Sequence, residues 1–289
     1  MEFLTTFVNG LSLGGIYAMI ALGYTMVYGI AKMLNFAHGD IIMVGGYTIL
    51  VFLPVNPIVA LIASVLFCVF LGITIEKLAY KPLRGASPLA VLITAIGVSN
   101  LLQSVAQIAF GSATKFVNIA ELGTINIGDG FSIYVSTVVT LAMSVVVMAA
   151  LTVFIKYSKI GRAMRAVSED GGAARLMGIN TNVVIAITFA IGSALAALAS
   201  ICYLLKSPAI MPSFGAMPGI KAFTAAVIGG IGSIPGAMVG GILLGVIECF
   251  CQSFAPISPY TDAIEFAILI VILLVKPNGL FGRRRSEKV

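Results

Sequence analysis

Side chains able to carry out chemistry are scarce in this sequence. The one histidine, His38, lies in the string Leu34-Asn35-Phe36-Ala37-His38-Gly39-Asp40, at the start of an apolar segment. A histidine followed two residues later by an aspartate is not a metal site, which needs three or four ligands. A proton relay is one alternative. A structural role at an interfacial helix break is favoured, with Asn35 and Asp40 satisfying free backbone groups.

Catalytic, metal and cofactor chemistry is expected nowhere in the chain. The cysteines form no CxxC pair and are predicted to be small buried side chains; they are Cys68, Cys202, Cys249 and Cys251. A nucleotide-binding P-loop needs the pair Gly-Lys, which this sequence lacks. The longest polar segment, 156–182, is too short for a catalytic domain. Any ATP-driven step would therefore need an ATPase on another polypeptide.

A stripe of polar residues interrupts one apolar segment, 88–110. Its members recur at intervals of three and four residues and so share one helical face; they are Gly97, Asn100, Gln103, Ser104 and Gln107. Inside a membrane such a stripe lines an aqueous path or makes hydrogen bonds between helices, and both alternatives stay open. A milder stripe is formed by Ser136, Thr140 and Ser144. The candidate residues of a translocation path are Asn35, His38, Asp40, Asn100, Gln103 and Gln107.

The elements that position these residues must be membrane helices. The chain has 289 residues, of which 60% are apolar and 10% are charged, whereas soluble domains have about 45–50% and about 25%. This composition excludes a soluble enzyme and a disordered chain. It also argues against a nucleic-acid-binding protein, because the basic charge is sparse despite a pI of about 9.2. We therefore predict a polytopic protein of the lipid bilayer, with all-α structure.

Apolar runs of about 20 residues predict the spans. They lie at about 3–30, 36–53, 57–75, 88–110, 131–155, 183–205, 219–254 and 261–275. The run at 219–254 is too long for one helix and contains an interrupter. We expect it to form two short membrane elements joined at Gly229, Gly230, Gly232, Pro235 and Gly236. The predicted total is about eight spans or nine, depending on how residues 3–53 cross, and eight is favoured.

Lys and Arg residues set the expected orientation. Thirteen of the 17 fall in the segments 76–87, 156–182 and 276–289, which we expect to be cytoplasmic. Three GxxxG motifs begin at Gly10, Gly236 and Gly241, and they favour general close packing over a specific dimer. Four ionisable residues near the outer ends of their spans are expected to reach the interface; they are Lys221, Glu248, Asp262 and Glu265.

The loop 156–182 has the pattern of a short helix over about 169–177. Ser168 is the expected N-cap, and Gly178 is the expected residue after the helix. Ala173, Ala174 and Met177 would form one apolar edge. Such a helix suits a groove on a partner protein, and the alternative is a basic loop lying on lipid headgroups.

Several strings resemble the permease of branched-chain amino-acid ABC importers, the shorter of its two permease types. They are Gly14-Gly15-Ile16-Tyr17-Ala18, Ala21-Leu22-Gly23, Tyr28-Gly29, Asn35-Phe36-Ala37-His38-Gly39-Asp40, and Gly229–Gly236 closing on Gly240-Gly241. The resemblance covers almost the whole chain. Related permeases carry Glu-Ala-Ala, three further residues and Gly in the loop that docks into the ATPase. Here Ala173, Ala174 and Gly178 keep that spacing, but Gly172 replaces the glutamate, and Glu169 lies three residues earlier.

The resemblance implies a single transmembrane permease domain over 1–289, in the inner membrane of a bacterium. Its implied partners are a second, non-identical permease, two cytoplasmic ATPases and a periplasmic amino-acid-binding protein. The coupling loop would use Gly161, Arg162, Arg165, Glu169, Asp170, Ala173, Ala174, Met177 and Gly178. Transport would proceed by alternating access, with no bond made by this chain. The rival hypotheses are an ion-coupled secondary transporter and an ABC permease for another small solute such as a sugar.

Overall fold

The computed structural model describes residues 2–120, 122–126 and 132–282, and within them the chain is an all-α bundle. Its helices are α1 Glu2–Ala31, α2 His38–Phe52, α3 Pro57–Ile75, α4 Pro88–Phe110, α5 Val135–Tyr157, α6 Lys159–Glu169, α7 Gly171–Leu176, α8 Thr181–Lys206, α9 Ala216–Gly229, α10 Ile234–Ser253 and α11 Thr261–Val275. A π-helical turn, Glu76–Tyr80, and a 3-10 turn, Lys81–Leu83, extend α3; a second 3-10 turn, Ser258–Tyr260, precedes α11. The predicted helical fold class is confirmed.

Seven described helices are long and apolar enough to cross a membrane: α1, α3 with its extension, α4, α5, α8, α10, and α11 with the turn before it. The apolar helices α2 and α9 have only 15 and 14 residues. At 1.5 Å per residue each is about 20 Å long, which is shorter than the roughly 30 Å hydrocarbon core. The prediction of two short elements at 219–254 is therefore right for α9 only, because α10 has full spanning length.

Four short strands within the described residues form two antiparallel pairs outside the helices. Strands β1, Lys115–Phe116, and β4, Ala209–Ile210, pair with each other; β2, Thr124–Asn126, pairs with β3, Ser132–Tyr134. The fifth span was expected from residue 131, which lies outside the described residues. Residues 132–134 belong to β3, so the helix begins only at Val135.

Helices α1 and α10 pack antiparallel through glycines. A Cβ placed on Gly14 would lie 2.6 Å from the Cα of Ile242, and one placed on Gly10 would lie 2.9 Å from the Cα of Val246. Near the start of α1, the hydroxyl of Thr6 is 3.1 Å from that of Ser253. Glycine lets these backbones approach closely. The GxxxG motifs at Gly10 and Gly241 therefore serve contacts within the chain.

The predicted helix break is present between α9 and α10. Gly230 and Gly232 have φ angles of +107° and +92°, a region that L side chains rarely adopt. The hydroxyl of Ser233 then accepts a bond from the Gly236 N–H at 3.2 Å and caps α10. Gly236 lies directly against the Gly229 backbone, so the two helices leave the turn in close contact.

The two ends of the bundle differ in charge. At one end Arg84 bonds both Glu76 and Asn182, which joins the segment 76–87 to the start of α8. The amide of Leu280 donates to the Ile228 carbonyl at 2.8 Å, which places the segment 276–282 at the α9–α10 turn on the same end. The basic residues of 283–289 lie outside the described residues.

The start of α1 lies at the opposite end from these basic segments. There Lys206, at the end of α8, donates to the carbonyl of Asn9 at 3.3 Å, and Thr137, at the start of α5, lies 3.1 Å from the Asn9 side chain. If the basic end is cytoplasmic, α1 begins outside. Of the two predicted totals this arrangement favours nine crossings, with α2 and α9 included.

Candidate functional site

The segment between α1 and α2 is held by contacts between elements. Asn35 is buried and accepts a hydrogen bond from the Tyr80 hydroxyl at 2.8 Å. Free amides at the start of α2 are satisfied by the backbone, since the N–H groups of Asp40 and Ile41 both donate to the Ala37 carbonyl. Asn35 was expected to satisfy free backbone groups. Its backbone carbonyl accepts from the His38 N–H at 3.2 Å, and its side-chain oxygen ties the break to the turn after α3.

His38 packs inside the bundle against α1. Its ring lies 4.7 Å from that of Tyr24, centroid to centroid, and the two rings meet edge to face. A Cβ on Gly23 would collide with the imidazole. Within the described residues Nε2 has no hydrogen-bond partner. The geometry fits a packed ring better than a relay, because no second titratable group completes a chain of hydrogen bonds from Nε2.

Asp40 and Gln103 are brought together from two different helices. The Gln103 amide donates to the Asp40 carboxylate at 2.8 Å, and Ser99 lies 3.4 Å from the same amide. The carboxylate borders a cavity of about 180 Å³ that is also lined by Tyr24, Phe36, Gly39, Ile96, Ala216, Gly219 and Ile220. The starts of the short helices α2 and α9 therefore meet at one small cavity, which Asp40 and Gln103 border on one side.

Helix α4 presents the rest of its polar stripe outward. Only Val91, Ala95 and Ala106 are buried along its 23 residues. Asn100, Ser104 and Gln107 are exposed, and no atom would lie within 4 Å of a Cβ on Gly97. Within the described chain, Gln103 is the member of this stripe that bonds another helix. This face is therefore polar, uncovered and located on a membrane-length helix.

The residues of the milder stripe on α5 lie in different surroundings from those on α4. Thr140 and Ser144 are fully buried. The Ser144 hydroxyl donates to the Leu141 carbonyl at 2.8 Å and presses against Gly15 of α1. Ser144 therefore serves packing between α1 and α5, whereas Ser136 borders a cavity at the end of the bundle where α1 begins.

The loop 156–182 contains two helices where one was predicted. Helix α6 begins after Ser158, whose hydroxyl accepts from the Gly161 N–H at 2.8 Å. Helix α7 begins after Asp170, whose carboxylate accepts from the Gly172 and Ala173 amides at 2.8 and 3.0 Å. The prediction that Ser168 is the N-cap was wrong, because its hydroxyl donates to the Arg165 carbonyl inside α6.

The end of the predicted short helix lies where expected. Gly178 has a φ of +82°, and the amide of Ile179 reaches back to the Ala174 carbonyl at 3.0 Å. This is the pattern of a helix closed by a left-handed residue. The expected apolar edge needs correction, because Ala174 is only 4% exposed and faces the protein. Leu176 and Met177 are 90% and 83% exposed, and they form the outward apolar surface of α7.

The other residues of this loop fix α6 against the end of α5. Gly161 is buried against the Ile155 backbone. Arg162 donates to the Tyr157 carbonyl at 3.1 Å, and Arg165 donates to those of Ile155 and Lys156 at 2.9 and 3.2 Å. Cations bonded to the last carbonyls of a helix stabilise its end. Glu169 and Asp170 lie on the exposed side, at the junction of α6 and α7.

A buried ionic cluster was missed at the level of sequence. The Lys221 ammonium lies 2.7 Å from Glu248, 2.8 Å from Asp262 and 3.3 Å from Glu265. Tyr17 donates to the other oxygen of Glu248 at 2.6 Å. The expectation that these residues reach the interface was wrong for Lys221, Glu248 and Glu265, which are buried; Asp262 is half-exposed. The sequence shows one lysine and three carboxyl residues in adjacent apolar runs, which does not by itself indicate that they meet.

Comparisons with known proteins agree with this architecture. The family described as the permease component of the branched-chain amino acid transport system matches residues 6–273. The high-affinity branched-chain amino acid transport system permease protein BraD of Pseudomonas aeruginosa is 43% identical, with 100% of this chain and 98% of that protein covered. The corresponding protein LivH of Escherichia coli K12 is 42% identical with the same coverage.

One solved structure shares the fold. PsaBC from Streptococcus pneumoniae, in complex with a Fab, has a chain that superimposes with a TM-score of 0.52 and 15% sequence identity. The alignment covers 97% of this chain and 94% of the other.

Proposed function

The chain belongs to the family of branched-chain amino acid transport permeases, and we propose that it is the permease subunit of an ABC importer for such amino acids. Its apolar helices make it a multi-pass protein of the inner membrane. The observation that carries the proposal is similarity over the entire chain, at 43% identity, to a permease whose name states this transport activity.

We propose that separate ATPase subunits supply the energy and dock on α7. The chain has no Gly-Lys pair for a P-loop, and 156–182 forms only two short helices. Leu176 and Met177 project from the basic end of the bundle, where a cytoplasmic partner would reach them. Two exposed apolar side chains at the end of a six-residue helix suit a groove on such a partner. The whole of 156–182 would then act as the coupling segment.

We propose that the polar face of α4 borders the translocation path. A membrane helix with exposed Asn100, Ser104 and Gln107 is unfavourable in contact with lipid alone. A second permease facing α4 would remove that exposure and leave a polar path between the two subunits. The Asp40–Gln103 pair would lie at the side of this path, where α2 and α4 meet. Alternating access would change which end of the path is open.

The test is reconstitution of this chain with a second permease, two ATPases and a periplasmic amino-acid-binding protein in vesicles. Labelled leucine should accumulate only with ATP on the cytoplasmic side and the binding protein on the outer side. Met177→Glu should abolish uptake and co-purification of the ATPases, because a buried charge would oppose docking. Met177→Leu, the matched control, should keep both, since it conserves volume and apolarity. Leucine accumulation driven by an ion gradient without ATPases would contradict the proposal.

A further inference from the structure

A large cavity opens at the outer end of the bundle, away from the proposed path on α4. Its volume is about 860 Å³, and α1, α5, α8 and α10 surround it together with Ala120, Leu122 and the residues 205–208. The floor includes Tyr17 and Glu248, and the wall includes Lys206. This cavity lies inside a single permease chain, so its binding properties depend on this sequence.

The floor of the cavity carries part of the ionic cluster. The Lys221 ammonium contacts Glu248, and it also faces the carboxyl groups of Asp262 and Glu265. Glu265 is completely buried, and neither of its oxygens has a well-formed hydrogen bond within the described residues. A carboxylate buried in a membrane protein is stabilised by cationic partners. A cationic group placed in the cavity beside Glu248 would add one such partner.

Hydrogen bonds already fix the orientation of the Glu248 carboxylate. Its Oε1 accepts from Lys221 at 2.7 Å and from Gln252 at 3.1 Å, and its Oε2 accepts from Tyr17 at 2.6 Å. A carboxylate has about four acceptor positions, and these contacts use three of them. The three donors fix the orientation of the carboxylate from α9, α10 and α1. A ligand would not have to order it.

The wall supplies the opposite charge. Lys206 ends α8 and donates to the Asn9 carbonyl at 3.3 Å. An ammonium has three protons to donate, and this contact uses one. Apolar side chains, including Leu13 and Leu205, border the same space. The cavity therefore combines an oriented carboxylate, an available ammonium and an apolar surface.

We propose that this outer cavity binds a zwitterionic α-amino acid, with the ligand's ammonium group against Glu248 and its carboxylate against Lys206. The choice of ligand class rests on the proposed function. The site would receive the amino acid before it enters the path between the permeases, and its affinity would be a property of this chain.

The experiment measures equilibrium binding of labelled leucine to the assembled importer in nanodiscs, without the binding protein. Unlabelled leucine should compete, whereas 4-methylpentanoate, which lacks the amino group, and 3-methylbutylamine, which lacks the carboxyl group, should not. Lys206→Gln should weaken binding roughly tenfold or more, as expected for loss of one charged contact. Glu248→Gln should do the same. Thr6→Ala, at the rim of the same cavity, should change affinity less than about twofold.

Three outcomes overturn the inference: no saturable leucine binding, equal competition by the two analogues, or unchanged affinity in Lys206→Gln. The lysine variant is decisive if Glu248→Gln fails to assemble, because Lys206 is exposed and lies outside the ionic cluster. ATP-driven leucine uptake, measured on the same preparation with the binding protein, separates the two proposals. Uptake without binding at this cavity rejects only the site, and absence of uptake in the unmodified assembly rejects the proposed function.

Discussion

Helices α1 and α4 are similar in apolar character and opposite in burial. Their most apolar windows have mean hydropathies of 1.5 and 1.8, yet 83% of the first window is buried and only 17% of the second. The less apolar helix is the buried one. Hydropathy reports that a segment enters the bilayer, and it does not report whether lipid or protein surrounds the segment there.

The difference comes from small residues and their neighbours. On α1, Gly10, Gly14 and Gly23 each meet atoms of other helices at a distance that excludes a Cβ, whereas Gly97 on α4 meets nothing. Close backbone approach on all sides makes α1 the centre of the bundle. Helix α4 keeps a polar face and few internal contacts, as expected of a surface that another subunit covers.

The largest expected effect is a difference in folding between two valine substitutions, one at a tightly packed glycine and one at an exposed glycine. Gly241→Val should prevent accumulation of folded protein, because its Cβ would collide with the Ala18 backbone on α1. Overpacking of this kind typically costs about 1–3 kcal/mol or more. Gly97→Val adds the same side chain where space is open, so it should fold normally. Size-exclusion profiles of the detergent-solubilised variants measure both, and equal profiles would remove the distinction between α1 and α4.

A smaller effect tests whether α4 is covered in the assembly. In a chain without native cysteines, Asn100→Cys and Gln107→Cys should react with a maleimide in the isolated, solubilised permease. They should be protected once the second permease is bound. Leu66→Cys, on the exposed face of α3, should react in both states. Undiminished labelling of the two α4 positions in the full importer would mean that lipid or detergent, and not a subunit, faces this stripe.

The smallest effect concerns the N-cap of α7. Asp170→Ala removes the acceptor for two amides, and loss of an N-cap costs about 1 kcal/mol. The Gly172 and Ala173 amides should then exchange hydrogen roughly fivefold faster. Asp170→Asn keeps an acceptor oxygen and should exchange at nearly the original rate. Identical exchange in the alanine variant would assign the order of α7 to its packing.

The sequence predicts the helices well, because each apolar run is bounded by a glycine, proline or charge. The break at Gly229–Gly236 and the left-handed Gly178 follow from local chemistry alone. The N-cap of α7 was misassigned because Ser168 and Asp170 are both good caps and lie two residues apart. The cluster of Lys221, Glu248 and Glu265 could not be derived, since its members are distant in sequence and meet only through tertiary packing.

The pairing of α1 with α10 also sets the order of events during synthesis. Thr6 and Ser253, which lie together in the folded bundle, are 247 residues apart. At a rate of about 5–20 residues per second the ribosome needs on the order of 10 to 50 seconds to cover that distance. During this interval the glycine-lined face of α1 has no permanent neighbour. Helix α1 thus leaves the ribosome long before its α10 neighbour, and a chain terminated before α10 would lack one side of the centre of the bundle.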